Sequence, residues 1–348
     1  MSVRVDTPDA VGLSVGDAPS EPEAVKARGY WELIWIRLRR DKIALVSFGF
    51  IVFLFASAFA GAPLAAHLLG HGPNTQFGYG VSYPSYVPVG PWTYVSKAPY
   101  YGVPHPGRYG HTLFIFGGAD QLGRDLFLRI LYGAQVSLEV GIFATVGSVT
   151  IGVLMGLLGG YFRGWIDTIV SRMIEIVMVF PYLLFIIALR IVAGNALNKI
   201  TLGFLPSGVF TLALIFTAFG WFYPARIMRG VVLSLREKEF VEAARMTGAS
   251  DWRIMRSHLL PHLMAPIIVY STILVAQNIL GEAGLSFLGL GVGADVPSWG
   301  NLLQQAPSYY QTDVWILLFP GFAILFTTIA FNLLGDGLRD AFDPRSTI

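Results

Sequence analysis

Long stretches without Asp, Glu, Lys or Arg alternate with charged segments along this chain of 348 residues. A membrane helix needs about 20 predominantly apolar residues. Five uncharged stretches are long enough: 43 to about 67, 140–162, 200–225, one within 257–281 and one within 314–335. A further stretch, 176–189, is shorter, so a full span there must take in Glu175 or Arg190. A core helix or a re-entrant segment is the alternative for this third candidate.

The distribution of cationic residues decides whether the third candidate is counted. Cytoplasmic segments of membrane proteins carry an excess of Lys and Arg. With six spans and a cytoplasmic N-terminus, the inner segments 1–42, 163–174, 226–256 and 336–348 hold three quarters of the 24 Lys and Arg residues. Without the third span, the Arg-rich segment 226–256 would lie outside. The pattern predicts an all-α integral membrane protein with six transmembrane helices, in the cell inner or plasma membrane, with both termini cytoplasmic.

Composition agrees with a membrane protein and limits its functions. Hydrophobic residues make up 54% of the chain and charged residues 13%, about half the charged fraction of soluble domains. A net charge of +2 provides no basic surface for nucleic acid. Because cysteine is absent, disulfides, thiolate metal sites and cysteine nucleophiles are excluded. No segment outside the spans is long and apolar enough to bury its own core, so no soluble catalytic domain is expected.

The same pattern predicts four regions. Residues 1–28 are polar, lack the apolar core of a cleavable signal peptide and are expected to be a disordered cytoplasmic N-terminus. Residues 29–67 comprise an interfacial helix that mixes aromatic and cationic residues, followed by the first span. Residues 68–117 form an extracytoplasmic loop with no strong period. Residues 118–345 form a core with the five remaining spans.

The second span carries four small residues at a four-residue interval: Ser148, Gly152, Gly156 and Gly160. This spacing places them on one helix face, where another helix can approach closely. Glycine is also frequent in membrane helices generally, but four small residues in register favour packing.

One segment, "EFVEAARMTGASDWRIMRSHLLP" (239–261, the EAA segment), joins a charged helix to an apolar span. Residues 239–247 favour a helix, Gly248 is suited to its C-terminal cap, and Ser250 is suited to the N-cap of a second helix. Trp252, Met255 and Leu259 are expected to face apolar surroundings.

The first helix of the EAA segment has features of a contact surface. Ala243 and Ala244 keep one face narrow enough to enter a groove on a partner, and Glu242 and Arg245 supply ionic contacts at its rim. An ordinary amphipathic loop is the alternative that the residues alone leave open.

The EAA segment resembles the EAA loop of binding-protein-dependent ABC importer permeases. That pattern is Glu-Ala-Ala, then Gly after three residues, then a hydrophobic stretch ending in Leu-Pro. The matching residues are Glu242, Ala243, Ala244, Gly248, Leu260 and Pro261.

The resemblance covers about residues 29–345. The blocks 118–141, 159–184 and 281–303 are similar to those of the dipeptide, oligopeptide and nickel class, and the chain resembles its C-type permease. Six positions depart from that pattern: Ala119, Leu128, Gln135, Ser171, Glu175 and His262. The departures in the outer block leave the cargo less certain than the permease type.

The resemblance implies a type I ABC importer (MetI-like) permease fold and a set of partners. A second homologous permease pairs with the chain, two cytoplasmic ATPase subunits bind ATP and Mg, and a substrate-binding protein docks outside. Each ATPase receives one EAA helix in a groove, so ATP-driven closure moves the membrane helices and imports peptides by alternating access. The implied ATPase-coupling residues are Glu242, Ala243, Ala244, Arg245, Gly248, Leu260 and Pro261. Nickel or another small solute is the alternative cargo.

We expect no cofactor, metal or catalytic site in the chain itself. None of its five lysines follows a glycine, so it lacks the G-x-x-x-x-G-K-[ST] phosphate loop. His258 and His262, like His67 and His71, have a spacing that suits zinc. Pro261 disturbs the first pair, however, and neither pair has an evident carboxylate companion.

Polar residues near the outer side are candidates for other roles. Gln277, Asn278 and Glu282, at the outer end of the fifth span, are candidates for gating or for the translocation path, although Glu282 can equally cap local structure. Four charged residues before the second span are spaced to pair as in a helix and to brace the loop: Asp120, Arg124, Asp125 and Arg129.

Two other classes of function compete. A self-contained secondary transporter or channel predicts broken helices in repeated halves, but Pro181 and Pro266 interrupt the third and fifth spans without matched surroundings. A membrane enzyme would need a nucleophile–base or metal constellation, and none stands out.

Overall fold

The computed structural model of the protein describes residues 30–98, 100–198 and 208–342. Five helical segments in these ranges are long and apolar enough to cross a membrane: Lys42–Leu69, Leu126–Tyr161, Val209–Leu235, Asp251–Phe287 and Trp315–Phe342. A sixth span exists if two helices bent by 86° are taken together. The helical membrane fold is confirmed. The expected disordered tail, the start of the predicted fourth span at 200–207, and residues 343–345 lie outside the described residues.

Three helices and a π-helical turn form the N-terminal part. Helix α1 (Tyr30–Arg40) is followed by α2 (Lys42–Ala56), a π-helical turn (Ser57–Gly61) and α3 (Ala62–Leu69). The carboxylate of Asp41 caps α2 by accepting hydrogen bonds from the backbone N–H groups of Ile43 and Ala44, at 2.9 and 3.1 Å. The predicted helix before the first span is therefore confirmed, while its position at the membrane surface stays a prediction.

The outer segment contains two small antiparallel sheets. Strand β1 (Val81–Ser82) pairs with β2 (Val87–Pro88), and β3 (Thr93–Ser96) pairs with β4 (His111–Phe114). Phe77, Val95 and Phe114 are buried together beneath them. The expectation that no outer segment buries a core was wrong at this small scale. Glycines allow the backbone to fold tightly here: a Cβ on Gly80 would lie 2.6 Å from the carbonyl oxygen of Gly123.

Helix α4 (Leu126–Tyr161) lies at the centre of the membrane region. It is followed by α5 (Trp165–Val179), α6 (Tyr182–Asn198), α7 (Val209–Gly220) and α8 (Phe222–Leu235). Helices α5 and α6 are the bent pair, so the predicted third span is broken rather than continuous. The chain bends at Phe180, whose backbone is extended (φ −76°, ψ 135°), as expected for a residue that precedes a proline.

The predicted small-residue face of the second span is confirmed as a packing face. A Cβ on Gly152, Gly156 or Gly160 would lie 2.5–2.6 Å from the Cβ atoms of Pro224, Met228 and Val232, respectively. These three partners are on α8 at a four-residue spacing. Helices α4 and α8 therefore approach at a distance that only glycine permits on the α4 side.

The remaining helices complete the bundle. They are α9 (Glu239–Met246), α10 (Asp251–Arg253), a π-helical stretch (Ile254–Leu259), α11 (Leu260–Phe287), α12 (Trp299–Gln305) and α13 (Trp315–Phe342). Helix α11 packs against α4 and α13, and α13 packs against α2. A large apolar cluster joins α2, α4, α11 and α13.

Candidate functional site

The EAA segment forms two helices joined by a tight turn, as predicted. Helix α9 ends at Met246, and Gly248 adopts φ +81°, a left-handed conformation that suits glycine. The N–H of Ala249 donates to the carbonyl oxygen of Ala244 at 3.0 Å. The side chain of Ser250 then caps α10 by accepting from the N–H of Arg253 at 3.4 Å. The turn therefore has defined caps on both sides.

The inner face of the EAA segment is packed onto the rest of the chain. Val241, Ala244 and Ile254 are buried in a cluster with Tyr161 of α4 and Val232 of α8. A helix end that is packed in this way moves with its neighbours.

A polar contact reinforces this packing. The hydroxyl of Tyr161 donates to Oδ1 of Asp251 at 2.6 Å, and the guanidinium carbon of Arg245 lies 5.4 Å from the centroid of the Tyr161 ring. The turn is therefore bound to the end of α4 by a charge-assisted hydrogen bond and a cation–π contact.

The structure corrects two predicted orientations in the EAA segment. Ala244 is 8% exposed and faces its own chain, so only Ala243 of the Ala pair lies on the outer face. Trp252 is 63% exposed instead of facing apolar surroundings. Met255 and Leu259 are buried, as predicted.

The outer face of the EAA segment combines charge with exposed apolar side chains. Met246 is 84% exposed and lies near the charged Glu242 and Arg245, which are exposed too. The ring of Phe240 stacks on His262 with 5.0 Å between centroids. An exposed apolar patch rimmed by polar residues is typical of an interaction surface.

One histidine of each pair has a defined polar contact. Nδ1 of His262 lies 2.8 Å from the carbonyl oxygen of His258. On the outer segment, Nε2 of His71 lies 3.1 Å from Oδ2 of Asp125, so the expectation that this pair has no carboxylate companion was wrong for His71. In the described ranges, no group of three or more His, Asp or Glu side chains is arranged to hold a metal ion.

Cationic side chains surround the start of the EAA segment. Arg163 and Glu237 form an ion pair, and Arg236 donates to the carbonyl oxygen of Gly160 at 2.8 Å. Hydrogen bonds from Arg163, and then from Arg236, hold the pKa of the Glu237 carboxyl below its ordinary value. Because Glu237 is exposed, these contacts contribute little to stability.

A second candidate site is a groove along α5, α6, α8 and α11, called here the tyrosine groove. It consists of four hollows of about 270, 350, 590 and 800 Å³. Consecutive hollows share residues: the first and second share Tyr223 and Gln277, the second and third share Tyr223 and Tyr270, and the third and fourth share Arg226. The hollows are therefore neighbours along these helices.

The three residues predicted for gating or translocation have different environments. Gln277 lines two hollows of the tyrosine groove. Asn278 is at its wall, and its amide donates to Oγ1 of Thr145 at 3.0 Å. Glu282 is fully buried and accepts hydrogen bonds from Ser137 and Ser286, at 2.8 and 2.6 Å. This position favours the structural alternative for Glu282.

The charged residues before α4 brace the outer segment by a different scheme from the one predicted. Asp120 and Arg124 form the expected ion pair. Asp125 instead caps α4 by accepting from the N–H of Phe127 at 2.9 Å, and Arg129 donates to Oδ1 of Asn74 at 2.8 Å. Because Asp125 precedes the helix, the predicted helical pairing of Asp125 with Arg129 was wrong.

A family model described as "Binding-protein-dependent transport system inner membrane component" matches residues 148–348, more than half of the chain. The chain belongs to this family. A second model, "N-terminal TM domain of oligopeptide transport permease C", matches residues 29–80 of this inner membrane component. The predicted importer-permease family is confirmed, and the protein is a multi-pass membrane protein.

Several curated relatives resemble this inner membrane component over most of its length. The dipeptide transport system permease protein DppC of Bacillus subtilis is 36% identical and covers 93% of this chain and 89% of the relative. The DppC of Alkalihalophilus pseudofirmus is 42% identical over 66% of this chain and 71% of the relative. The glutathione transport system permease protein GsiD of Pectobacterium atrosepticum is 35% identical over 90% of this chain and 91% of the relative.

Among solved structures, the inner membrane component is similar to the methionine ABC transporter MetNI in inward-facing conformations. The likeness covers 62% of this chain and 96% of the matched chain, with 19% identity and a TM-score of 0.49.

Sequence reasoning missed most of the tyrosine groove. Tyr182, Tyr223 and Tyr270 lie on three different helices, so no local pattern connects them. Arg226 offered the one usable signal, a cation directly after an uncharged stretch. The sequence alone marked it as the start of an inner segment.

Proposed function

We propose that this chain is the permease subunit of an ATP-driven importer that moves di- and oligopeptides inward by alternating access. Two separate ATPase subunits bind and hydrolyse ATP with Mg, and the permease has no catalytic role. Relatives named for dipeptide and glutathione transport support peptides as cargo over nickel or another small solute.

The coupling surface in this proposal is the outer face of the EAA segment. Glu242, Ala243 and Arg245 contact an ATPase groove, while Gly248 sets the turn. Ala244 holds the segment to its own chain, and Leu260 and Pro261 connect it to the fifth span. The observation that carries the proposal is the rigid attachment of this exposed surface to α4, through Tyr161 and Asp251. A displacement of α9 is therefore transmitted to the central membrane helix.

The partners follow from the same assembly. A second homologous permease faces the tyrosine groove and completes a closed path, lined on this side by Gln277 and Asn278. An extracytoplasmic binding protein docks on the outer side, near residues 68–117. Both termini, residues 163–164 and the EAA segment lie in the cytoplasm.

Reconstitution of the complete complex tests the proposal. We expect Glu242→Ala to reduce both peptide uptake into proteoliposomes and the stimulation of ATP hydrolysis by loaded binding protein, while membrane insertion is unchanged. Full uptake by a variant that lacks residues 239–248 would reject it. Uptake by the purified chain alone, driven by an ion gradient, would support a secondary transporter instead.

A further inference from the structure

The tyrosine groove is long and open on one side, and its two smaller hollows are lined by no charged residue. Its α11 side is a stripe of residues at spacings of three and four, from Tyr270 to Gly281, which places them on one helix face. A rise of about 1.5 Å per residue gives this stripe a length of about 16 Å, roughly half of the hydrocarbon core. The groove therefore reaches from the middle of the span toward the EAA-segment end of α8.

The upper part of the groove offers amide and phenol groups without charge. Gln277 carries an amide, and Tyr182, Tyr223 and Tyr270 carry hydroxyl groups beside apolar ring faces. Such groups can donate to and accept from a peptide backbone. Because these groups are uncharged, they do not discriminate between charged and neutral side chains of the peptide.

The lower end of the groove contains three charged residues, and two of them are already paired. Arg229 donates to Oδ1 of Asp167 at 2.6 Å. Glu175 accepts from Arg172 at 2.6 Å. Arg229 and Glu175 are therefore each neutralised by a partner and leave no unpaired charge in the 800 Å³ hollow.

Arg226 is the exception. It lines two hollows, and its Nη1 donates to the thioether sulfur of Met178 at 3.7 Å. A thioether is a weak acceptor. Among the described residues, no carboxylate forms an ion pair with Arg226. Arg226 is exposed on α8. A guanidinium with no carboxylate partner among the described residues of its own chain has the chemistry to bind an anion that arrives from outside the chain.

We propose that Arg226 binds the terminal carboxylate of the transported peptide at the lower end of the tyrosine groove. This inference rests on the proposed function and names the group of the cargo that this permease recognises. Every linear peptide with a free C-terminus has that carboxylate, whatever its side chains are. A fork of guanidinium N–H groups matches it in shape and charge. The neutral groups of Gln277 and the tyrosines then contact the backbone that precedes it.

The test uses the complete permease–ATPase complex in nanodiscs, without ATP or binding protein. The probe is a fluorescent tripeptide, prepared with a free C-terminus and with a C-terminal amide. We expect the wild type to bind the acid about tenfold more tightly than the amide, as for the loss of a charged hydrogen bond. Arg226→Gln should abolish this difference, and Arg226→Lys should restore most of it.

Arg163→Gln serves as the matched control, since it removes an exposed arginine outside the groove. It should keep the preference for the acid. Equal affinity of the wild type for the two probes, undetectable binding of both, or a preference that survives Arg226→Gln would overturn the inference. If Arg226 instead holds an anionic lipid headgroup, the wild type will bind the tripeptide acid and the amide equally. Arg226→Gln will then remove the increase in the complex's thermal stability that anionic lipid provides.

Uptake assays separate this inference from the proposed function. If the wild-type complex takes up peptides with ATP and the Arg226→Gln complex does so equally well, only the inference is contradicted. Absence of ATP-driven peptide uptake by the wild-type complex would contradict the proposed function itself.

Discussion

Gly156 has one of the tightest environments of any glycine in the α4–α8 contact. A Cβ there would lie 2.5 Å from the Cβ of Met228 and 3.0 Å from the carbonyl oxygen of Ala225. Because two of the atoms nearest to it are backbone, the helices must separate to admit even one methyl group.

We therefore expect Gly156→Ala to lower the melting temperature of the purified complex by several degrees. Overpacking costs about 1–3 kcal/mol, against a gain in helix propensity of about 1 kcal/mol. Gly49→Ala is the matched control, because a Cβ at Gly49 in α2 meets nothing within 4 Å. The packing explanation fails if both variants have the same melting temperature.

Glu282 and Gln277 lie five residues apart on α11, in different environments. The Glu282 carboxylate is fully buried and bonded to two serine hydroxyls, whereas Gln277 faces the tyrosine groove. Truncating a buried acceptor leaves its donors unsatisfied, at about 1–3 kcal/mol. Truncating a groove residue removes a surface contact.

The two alanine variants should therefore behave differently. We expect Glu282→Ala to reduce the yield of folded, monodisperse protein in size-exclusion chromatography. Gln277→Ala should leave the yield unchanged and lower the rate of peptide uptake. Normal yield and reduced uptake for Glu282→Ala would assign it to the path instead.

At the scale of elements, the angle between α9 and α10 depends on the backbone conformation of Gly248. Its φ of +81° is costly for any residue with a Cβ, by about 1–2 kcal/mol. Gly102 on the outer segment has φ +85°, and a Cβ at either glycine would meet nothing within 4 Å. The same substitution thus introduces similar strain at two distant turns.

We expect Gly248→Ala to lower the number of peptides imported per ATP hydrolysed, because α9 tilts away from its partner. Gly102→Ala should leave this ratio unchanged. Uptake and ATP hydrolysis are measured on the same proteoliposomes. Equal ratios in the two variants would remove Gly248 from the coupling mechanism.

In the bent pair α5 and α6, the charged residues Glu175 and Arg190 flank the uncharged stretch 176–189, and both have partners in the described part of the chain. Arg190 of α6 donates to the carbonyl oxygens of Leu290 and Gly291, at 3.0 and 2.8 Å. Glu175 of α5 is paired with Arg172. Arg190 therefore ties α6 to the loop after α11.

At the scale of the whole molecule, α4 connects the EAA segment to the outer segment. Its first turn is bound by Asp125 and the outer segment, and its last residue, Tyr161, is bound to Asp251. The proposed sidedness therefore requires these two regions to lie on opposite sides of the membrane.

Because the chain has no cysteine, single introduced cysteines can report this sidedness. Tyr94 is 73% exposed on β3, and the side chain of Arg163 is 72% exposed at the other end of α4. We expect a membrane-impermeant maleimide to label Tyr94→Cys in intact cells, and Arg163→Cys only after permeabilisation. Labelling of both variants in intact cells would contradict the proposed orientation.

The sequence by itself determined the features that depend on local order. Uncharged stretches marked the spans, because lipid excludes charge over about 20 residues. Ser148, Gly152, Gly156 and Gly160 marked a packing face, because helical geometry aligns every fourth residue. Gly248 and Ser250 marked the turn of the EAA segment, because each suits its capping position.

Only the tertiary structure decided which of these residues face a partner. Ala244 and Trp252 have the orientations opposite to those expected, because the EAA segment packs against α4 and α8, which are far away in sequence. The tyrosine groove, and the lack of an anionic partner for Arg226 among the described residues, arise where α5, α6, α8 and α11 meet. Contacts of this kind depend on three-dimensional packing between distant segments, which local sequence patterns do not encode.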